Sequence, residues 1–129
     1  MIFVDTSYWI ALALERDRHH LEAARLAPRP ARSRLGTSSL VRGETWTYLR
    51  RRTSHAFAMS WLDGMAKVET HQIDQALEAD AWAWLRVHDE RPYSFVDATS
   101  FALMRSLRIT DALAFDGDFE AAGFVELRL

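Results

Sequence analysis

The sequence predicts an α/β domain built on a mostly parallel sheet covered by helices on both faces, and three observations predict it. Short β-rich apolar runs alternate with stretches of helical periodicity along the whole chain. About half of the 129 residues are hydrophobic and only 5 are Gly and 3 Pro, which fits one compact domain over residues 1–129 with a sizeable core. No internal repeat or low-complexity tract interrupts the pattern, and strands of this kind are joined by right-handed crossovers.

Each element has its own signal. "MIFV" is a short apolar run ending at Asp5, and "TSYWIALALERD" then places apolar residues at helical spacing after Thr and Ser caps. A second helix from about His19 to Leu26 runs into "APRPARSR", whose prolines make a loop. "RLGTSS" reads as a short strand that turns into a helix from about Ser39 to Arg52, capped by Ser38 or Ser39. Ser54 starts another helix through Met65, "KVETHQI" is a strand, and Asp74 starts a helix to about His88. After "DERPYS" comes a helix over "SFVDATSFALMRSL" to Leu107, then "DALAFD" as a buried strand, "GDFEAAGF" as a turn and short helix, and "VELRL" as a last strand.

Composition closes several routes. There is no cysteine, so neither a disulfide framework nor a thiolate zinc site is available, and a reducing, cytoplasmic setting is expected. The apolar opening is interrupted by Asp5, lacks a basic leader and is too short to span a bilayer, so neither export nor membrane insertion is expected. A formal net charge of −2 argues against a strongly basic nucleic-acid binder. The distribution is more informative than the sum. Arg25, Arg29, Arg32 and Arg34 crowd one loop, and Arg50, Arg51 and Arg52 one helix end. Such patches suit phosphates, and equally suit solvated faces or the negative end of a helix.

The acids carry the chemistry. In an open parallel sheet, functional groups collect at the carboxyl ends of strands. Asp5 reads as the last residue of the first strand and Asp116 as the last of "DALAFD", with Asp118 two residues on. Glu44 lies about one and a half turns into the helix after the second strand, and Asp97 opens the helix before the fourth. Taken singly, each has an ordinary explanation. Ser94 and Asp97 have capping-box spacing, Asp5 could cap the "TSYWIA" helix, Glu44 could face solvent, and Asp116 and Asp118 flank Gly117 as turn formers do. Their joint placement on one rim has no such explanation.

Clustering has a physical consequence. Two carboxylates about 4 Å apart repel by about 4 kcal/mol at an effective dielectric near 20, against a net stability of about 5–15 kcal/mol for a whole domain. Such acids must bind protons or a hard divalent cation. Oxygen ligands without Cys or an obvious His partner suit Mg²⁺, with Mn²⁺ as a substitute, and "DGDF" lacks the ligand pattern of a calcium loop. A carboxylate-held Mg²⁺ points to phosphate chemistry by activated water. His19 and His20 are adjacent, diverge by about 100° on a helix, and are expected at the surface.

Four segments now form a pattern. "VDTSYWIA", "SSLVRGETWTYLRRR", "YSFVDATSFALMRSLRI" and "DALAFDGDFEAAGF", in this order and over nearly the whole chain, resemble a PIN domain, and most of all the VapC toxins of bacterial toxin–antitoxin pairs. The resemblance implies a three-layer sandwich about a parallel sheet of four or five strands and Mg²⁺-dependent cutting of RNA. It implies Asp5 and Asp97 as principal metal ligands, Glu44 in support of the site or a second metal, Asp116 completing the set, Ser7 assisting by hydrogen bonding, and Asp118 as a further supporting acid. It also implies a VapB-type antitoxin as partner and a homodimer. From the residues themselves, Trp82 and Trp84 project about 200° apart on a helix, so one of them is expected at the surface or an interface, whereas Trp9 and Trp46 read as core or pocket wall. Two rival readings stand beside this one. A PIN-like scaffold could bind RNA or protein without cutting. An aspartyl phosphatase would want a second Asp two residues after Asp5, where Ser7 stands.

Overall fold

A computed structural model of the chain describes residues 1–27 and 34–129. Five short strands form one all-parallel sheet: β1 (Ile2–Val4), β2 (Leu35–Ser38), β3 (Glu69–His71), β4 (Asp111–Leu113) and β5 (Val125–Glu126), in the spatial order β3-β2-β1-β4-β5. Among the described residues, seven helices connect them: α1 (Thr6–Ala13), α2 (His20–Leu26), α3 (Ser39–Arg52), α4 (His55–Gly64), α5 (Gln75–Arg86), α6 (Phe95–Leu107) and α7 (Asp118–Ala121). The α/β alternation thus yields the sandwich that it predicts.

The order of strands decides where a site can form. From β1 the chain steps to β2 and β3 on one side, then returns to β4 and β5 on the other. With right-handed crossovers, α1 to α4 cover one face and α5 to α7 the other, in keeping with the packing of α1 on α2 and α3, and of α6 on α5 and α7. The direction reverses between β1 and β4, so the loops leaving their carboxyl ends diverge and leave a crevice there.

Burial explains why the two central strands, β1 and β4, are largely apolar. Phe3, Val4, Ala112 and Leu113 are all buried, as a sheet covered on both faces requires. Beneath α6, Phe101 packs edge-on to Phe119 at 4.9 Å and Trp84 packs edge-on to Phe101 at 5.1 Å. Of the two tryptophans of α5, Trp84 faces this core while Trp82 is 48% exposed and lies on Phe95, as their spacing requires. Trp9 is buried against Trp61, and Trp46 lines a cavity between α3 and α4.

Helix starts follow their caps. Ser38, Ser54 and Asp74 accept from the third backbone N–H ahead of them, at 3.1, 3.1 and 2.9 Å. The ends of two strands differ from the sequence expectation. β1 stops at Val4 and Asp5 is already the N-cap of α1, with its backbone still extended. β4 stops at Leu113, paired with Val4 at the end of β1, so Asp116 lies beyond the strand. Arg29 and Arg32 of the first arginine patch, and with them most of the loop expected at "APRPARSR", lie outside the described residues. Arg34, from the same patch, is paired with Glu69 at 2.7 Å.

Candidate functional site

Three chain segments meet at the crevice between β1 and β4. Asp5 caps α1: its Oδ2 accepts from the Ser7 amide at 3.1 Å and from the Ser7 hydroxyl at 2.7 Å. The Ser7 hydroxyl in turn accepts from the Phe115 amide at 3.1 Å. Ser7 therefore ties the end of β1 to the segment that follows β4.

Asp97 is the third residue of α6. Its Oδ2 accepts from the Ser94 amide at 2.9 Å while its own amide donates to the Ser94 hydroxyl at 3.0 Å, a complete capping box. Asp116 accepts from the Asp118 amide at 3.1 Å through Oδ1. Between them Gly117 adopts φ +81°, a left-handed conformation that bends the two acids toward the same space. One oxygen from each of Asp97, Asp116 and Asp118 lies within 4.8 Å of the others.

A common pattern links Asp5, Asp97 and Asp116. Each uses one carboxylate oxygen to fix a backbone turn, and its other oxygen receives no hydrogen bond among the described residues. Cap and ligand are compatible roles because they occupy different oxygens.

Electrostatics show the strain of this arrangement. Asp5 is 3% exposed, and burial, with the Asp116 charge next in size, pushes its pKa from 3.8 up to about 8. Asp116 rises to about 6, through desolvation first and then the Asp118 and Asp97 charges. Asp97 is also raised, mainly by desolvation and further by Asp118 and Glu44. Without a cation, Asp5 holds a proton at neutral pH.

Glu44 stands apart from the tight group. It is on the exposed side of α3 and lines a separate hollow of about 450 Å³ with Tyr48, Arg51 and Arg52. Its charge reaches Asp97, but the oxygens within 4.8 Å of each other belong to Asp97, Asp116 and Asp118. Asp118 thus sits closer to the centre than its supporting place in the sequence reading.

Two residues that the sequence reading passed over shape the site. Arg91 donates through Nε to Asp118 at 2.9 Å and through a terminal nitrogen to the Asp116 carbonyl at 3.3 Å. Glu126, buried on β5, accepts from the Gly117 and Glu120 amides at 3.3 and 3.1 Å and from Arg128 at 2.9 Å. It anchors the loop that carries Asp116 and Asp118. The only signal for it in the sequence is an acid inside the apolar run "FVELRL", where a charge must find partners. His19 and His20, expected at the surface, are half-buried. His20 Nδ1 contacts the Ala11 carbonyl at 2.8 Å, and the His19 ring stacks on Phe115 at 4.6 Å.

A parallel sheet with acids at its switch point defines a class of protein, and the PIN domain family matches residues 2–125. The chain belongs to that family. Among its relatives is the 23S rRNA-specific endonuclease VapC20 of Mycobacterium tuberculosis, in strains CDC 1551 / Oshkosh and H37Rv. The chain is 53% identical to it over 131 residues, covering 99% of this chain and 98% of the relative. The crystal structure of M. tuberculosis VapC20, described as a sarcin–ricin loop cleaving toxin, superposes with a TM-score of 0.93 at 49% identity over the full length of both chains.

The donor set fits a divalent metal. All candidate ligands are hard carboxylate oxygens, several with one oxygen lacking a hydrogen bond, and their mutual repulsion is relieved by a cation.

Proposed function

We propose that this protein is a metal-dependent endoribonuclease of the VapC type that hydrolyses a phosphodiester bond in the sarcin–ricin loop of 23S ribosomal RNA. The observation that carries the reading is the meeting of Asp97, Asp116 and Asp118 within 4.8 Å above the buried Asp5. The 53% identity to a 23S rRNA-specific endonuclease supports the substrate.

Asp5, Asp97, Asp116 and Glu44 are the proposed catalytic and metal-binding residues, with Ser7 and Asp118 in support. A bound Mg²⁺, or Mn²⁺ in its place, supplies Lewis acidity toward the scissile phosphate and toward water. Hydrolysis forms one P–O bond to the attacking water and breaks one to the leaving ribose oxygen. The chain's own residues orient this exchange. The Ser94 and Ser7 hydrogen bonds lock the Asp97 and Asp5 side chains, so that no rotamer search is left at the moment of reaction. Arg51 and Arg52, beside Glu44, supply positive charge for flanking phosphates.

The partner is proposed to be a VapB-type antitoxin. A groove of about 920 Å³ between α3 and α4, lined by Arg42, Trp46, Met59, Leu62 and Met65, suits an amphipathic segment. A homodimer is part of the same proposal.

The test is incubation of purified protein with an RNA hairpin carrying the sarcin–ricin loop. The expected result is a single cut with Mg²⁺, none with EDTA, and none with Asp97→Asn. Equal behaviour of the wild type and Asp97→Asn would transfer the chain to the rival reading, a PIN scaffold that binds without cutting.

A further inference from the structure

A second hollow adjoins the acids at Ser7 and Asp116. It has a volume of about 300 Å³ and is lined by Ser7, Arg18, His19, Tyr48, Phe115 and Asp116, with Ile10 and Asp17 beside them. Two of these residues, Ser7 and Asp116, already belong to the acid site, so whatever fills the hollow touches the reacting region. Arg18, His19, Tyr48 and Phe115 have no part in the metal chemistry.

Their arrangement is fixed by the turn between α1 and α2. Asp17 accepts from the His19 amide at 2.8 Å, and His20 grips the Ala11 carbonyl at the end of α1. These bonds hold the His19 ring nearly parallel to Phe115, at 4.6 Å and 7°. Phe115 is 8% exposed and His19 is half-buried, so the outer ring of the stack is that of His19. Arg18 donates through Nε to His19 Nε2 at 3.1 Å, and its terminal guanidinium nitrogens have no partner among the described residues. Tyr48, across the hollow, lies under Arg52 at 4.7 Å and also borders the hollow of Glu44. A ring supported from beneath, a guanidinium with unused donors and a second aromatic wall are the elements of a single-strand nucleotide site.

We propose that this hollow receives one unpaired nucleotide adjoining the scissile phosphate, its base on the His19 ring and its phosphate at Arg18. The inference rests on the endoribonuclease reading and adds to it a specificity site that the acids do not provide. A flipped-out loop base occupies the hollow while the chain of phosphates passes Asp116 toward Arg51 and Arg52.

The test measures binding of the sarcin–ricin hairpin by the full-length Asp97→Asn protein, with hairpins made abasic at each loop position in turn. His19→Ala is expected to weaken binding of the intact hairpin roughly tenfold, the scale of one lost base–aromatic stack, while His19→Phe retains affinity. One abasic position is expected to cause the same loss in the Asp97→Asn protein and no further loss when His19→Ala is added. In the cutting enzyme, His19→Ala is expected to raise KM with kcat little changed. Independent, additive losses at every position would overturn the proposal, as would His19→Phe binding as weakly as His19→Ala, or no binding at all. Failure of the nuclease reading shows separately: wild-type protein would leave the hairpin uncut in Mg²⁺ whatever the binding data say.

Discussion

Replacing Asp5 by Asn is expected to stabilise the metal-free protein while removing its response to Mg²⁺. Both Ser7 hydrogen bonds end on the same oxygen, Oδ2. An asparagine carbonyl placed there keeps both and still caps α1. What the substitution removes is the charge. The carboxyl has a pKa of about 8 in the fold against 3.8 in the reference state, so its folded value is raised. The associated stability is then fully present below pH 3.8 and is lost as pH rises toward 8. At about 1.4 kcal/mol per unit, the full rise corresponds to about 6 kcal/mol. Relaxation and water penetration around a real buried charge reduce the expected loss to about 3 kcal/mol.

The assay is thermal unfolding in EDTA from pH 5 to 8.5, repeated in saturating Mg²⁺. With about 4 °C per kcal/mol for a domain of this size, the wild-type midpoint should fall about 10 °C more than that of Asp5→Asn across this range. Mg²⁺ at a hundredfold excess over its Kd should then return about 2.7 kcal/mol to the wild type and much less to the variant. Parallel pH profiles for the two proteins would refute the reasoning, because they would mean that Asp5 ionises in the fold as freely as in the unfolded chain.

Other substitutions probe the supports. Glu126→Gln is expected to lower stability by about 2 kcal/mol, since an amide group cannot accept from Gly117, Glu120 and Arg128 together; the Mg²⁺ concentration needed for half-maximal cutting should rise, although Glu126 touches no metal. Gly117→Ala places a side chain at φ +81°, at a cost of about 1–2 kcal/mol, read as a lower unfolding midpoint and slower cutting. Ser94→Ala removes half of the capping box and should cost about 1 kcal/mol, with activity falling more than stability because Asp97 loses part of its orientation.

Asp97 shows why so much of the site was legible in the sequence. Local signals suffice for the capping box and for the start of α6, whereas how that helix docks is open in the sequence and is settled by the fold, which brings an Asp97 oxygen within 4.8 Å of those of Asp116 and Asp118. Ser38, Ser54 and Asp74 were readable as caps for the same reason, since a cap depends on residues three apart. The features that escaped depend on distant pairings. Arg91 meets Asp118 across 27 residues, and Ser7 meets Phe115 across 108. The half-buried His19 is set by where Phe115 comes to rest, which no local pattern around "RDRHH" records. Asp116 reads as strand because "DALAFD" is apolar almost to its end, whereas β4 ends at Leu113, the last residue that pairs with β1.

The division of labour between oxygens has a consequence for the fold as a whole. If Asp5, Asp97 and Asp116 were ligands alone, removing the metal would leave one buried, one half-buried and one exposed charge crowded together with no structural return, and the loops that carry them would open. Each instead closes a turn through one oxygen, and those turns survive when the carboxyl is protonated, because a protonated carboxyl retains a carbonyl acceptor. The metal-free chain can therefore keep the site assembled by taking up protons at Asp5 and Asp116. Binding of a cation then exchanges those protons for the ion, so affinity for Mg²⁺ should climb steeply between pH 6 and 8, the interval set by the two raised values. A calorimetric titration in buffers of different ionisation enthalpy reads the released protons directly. Release of none at pH 7 would show that the acids were already ionised and that something other than protonation holds them together.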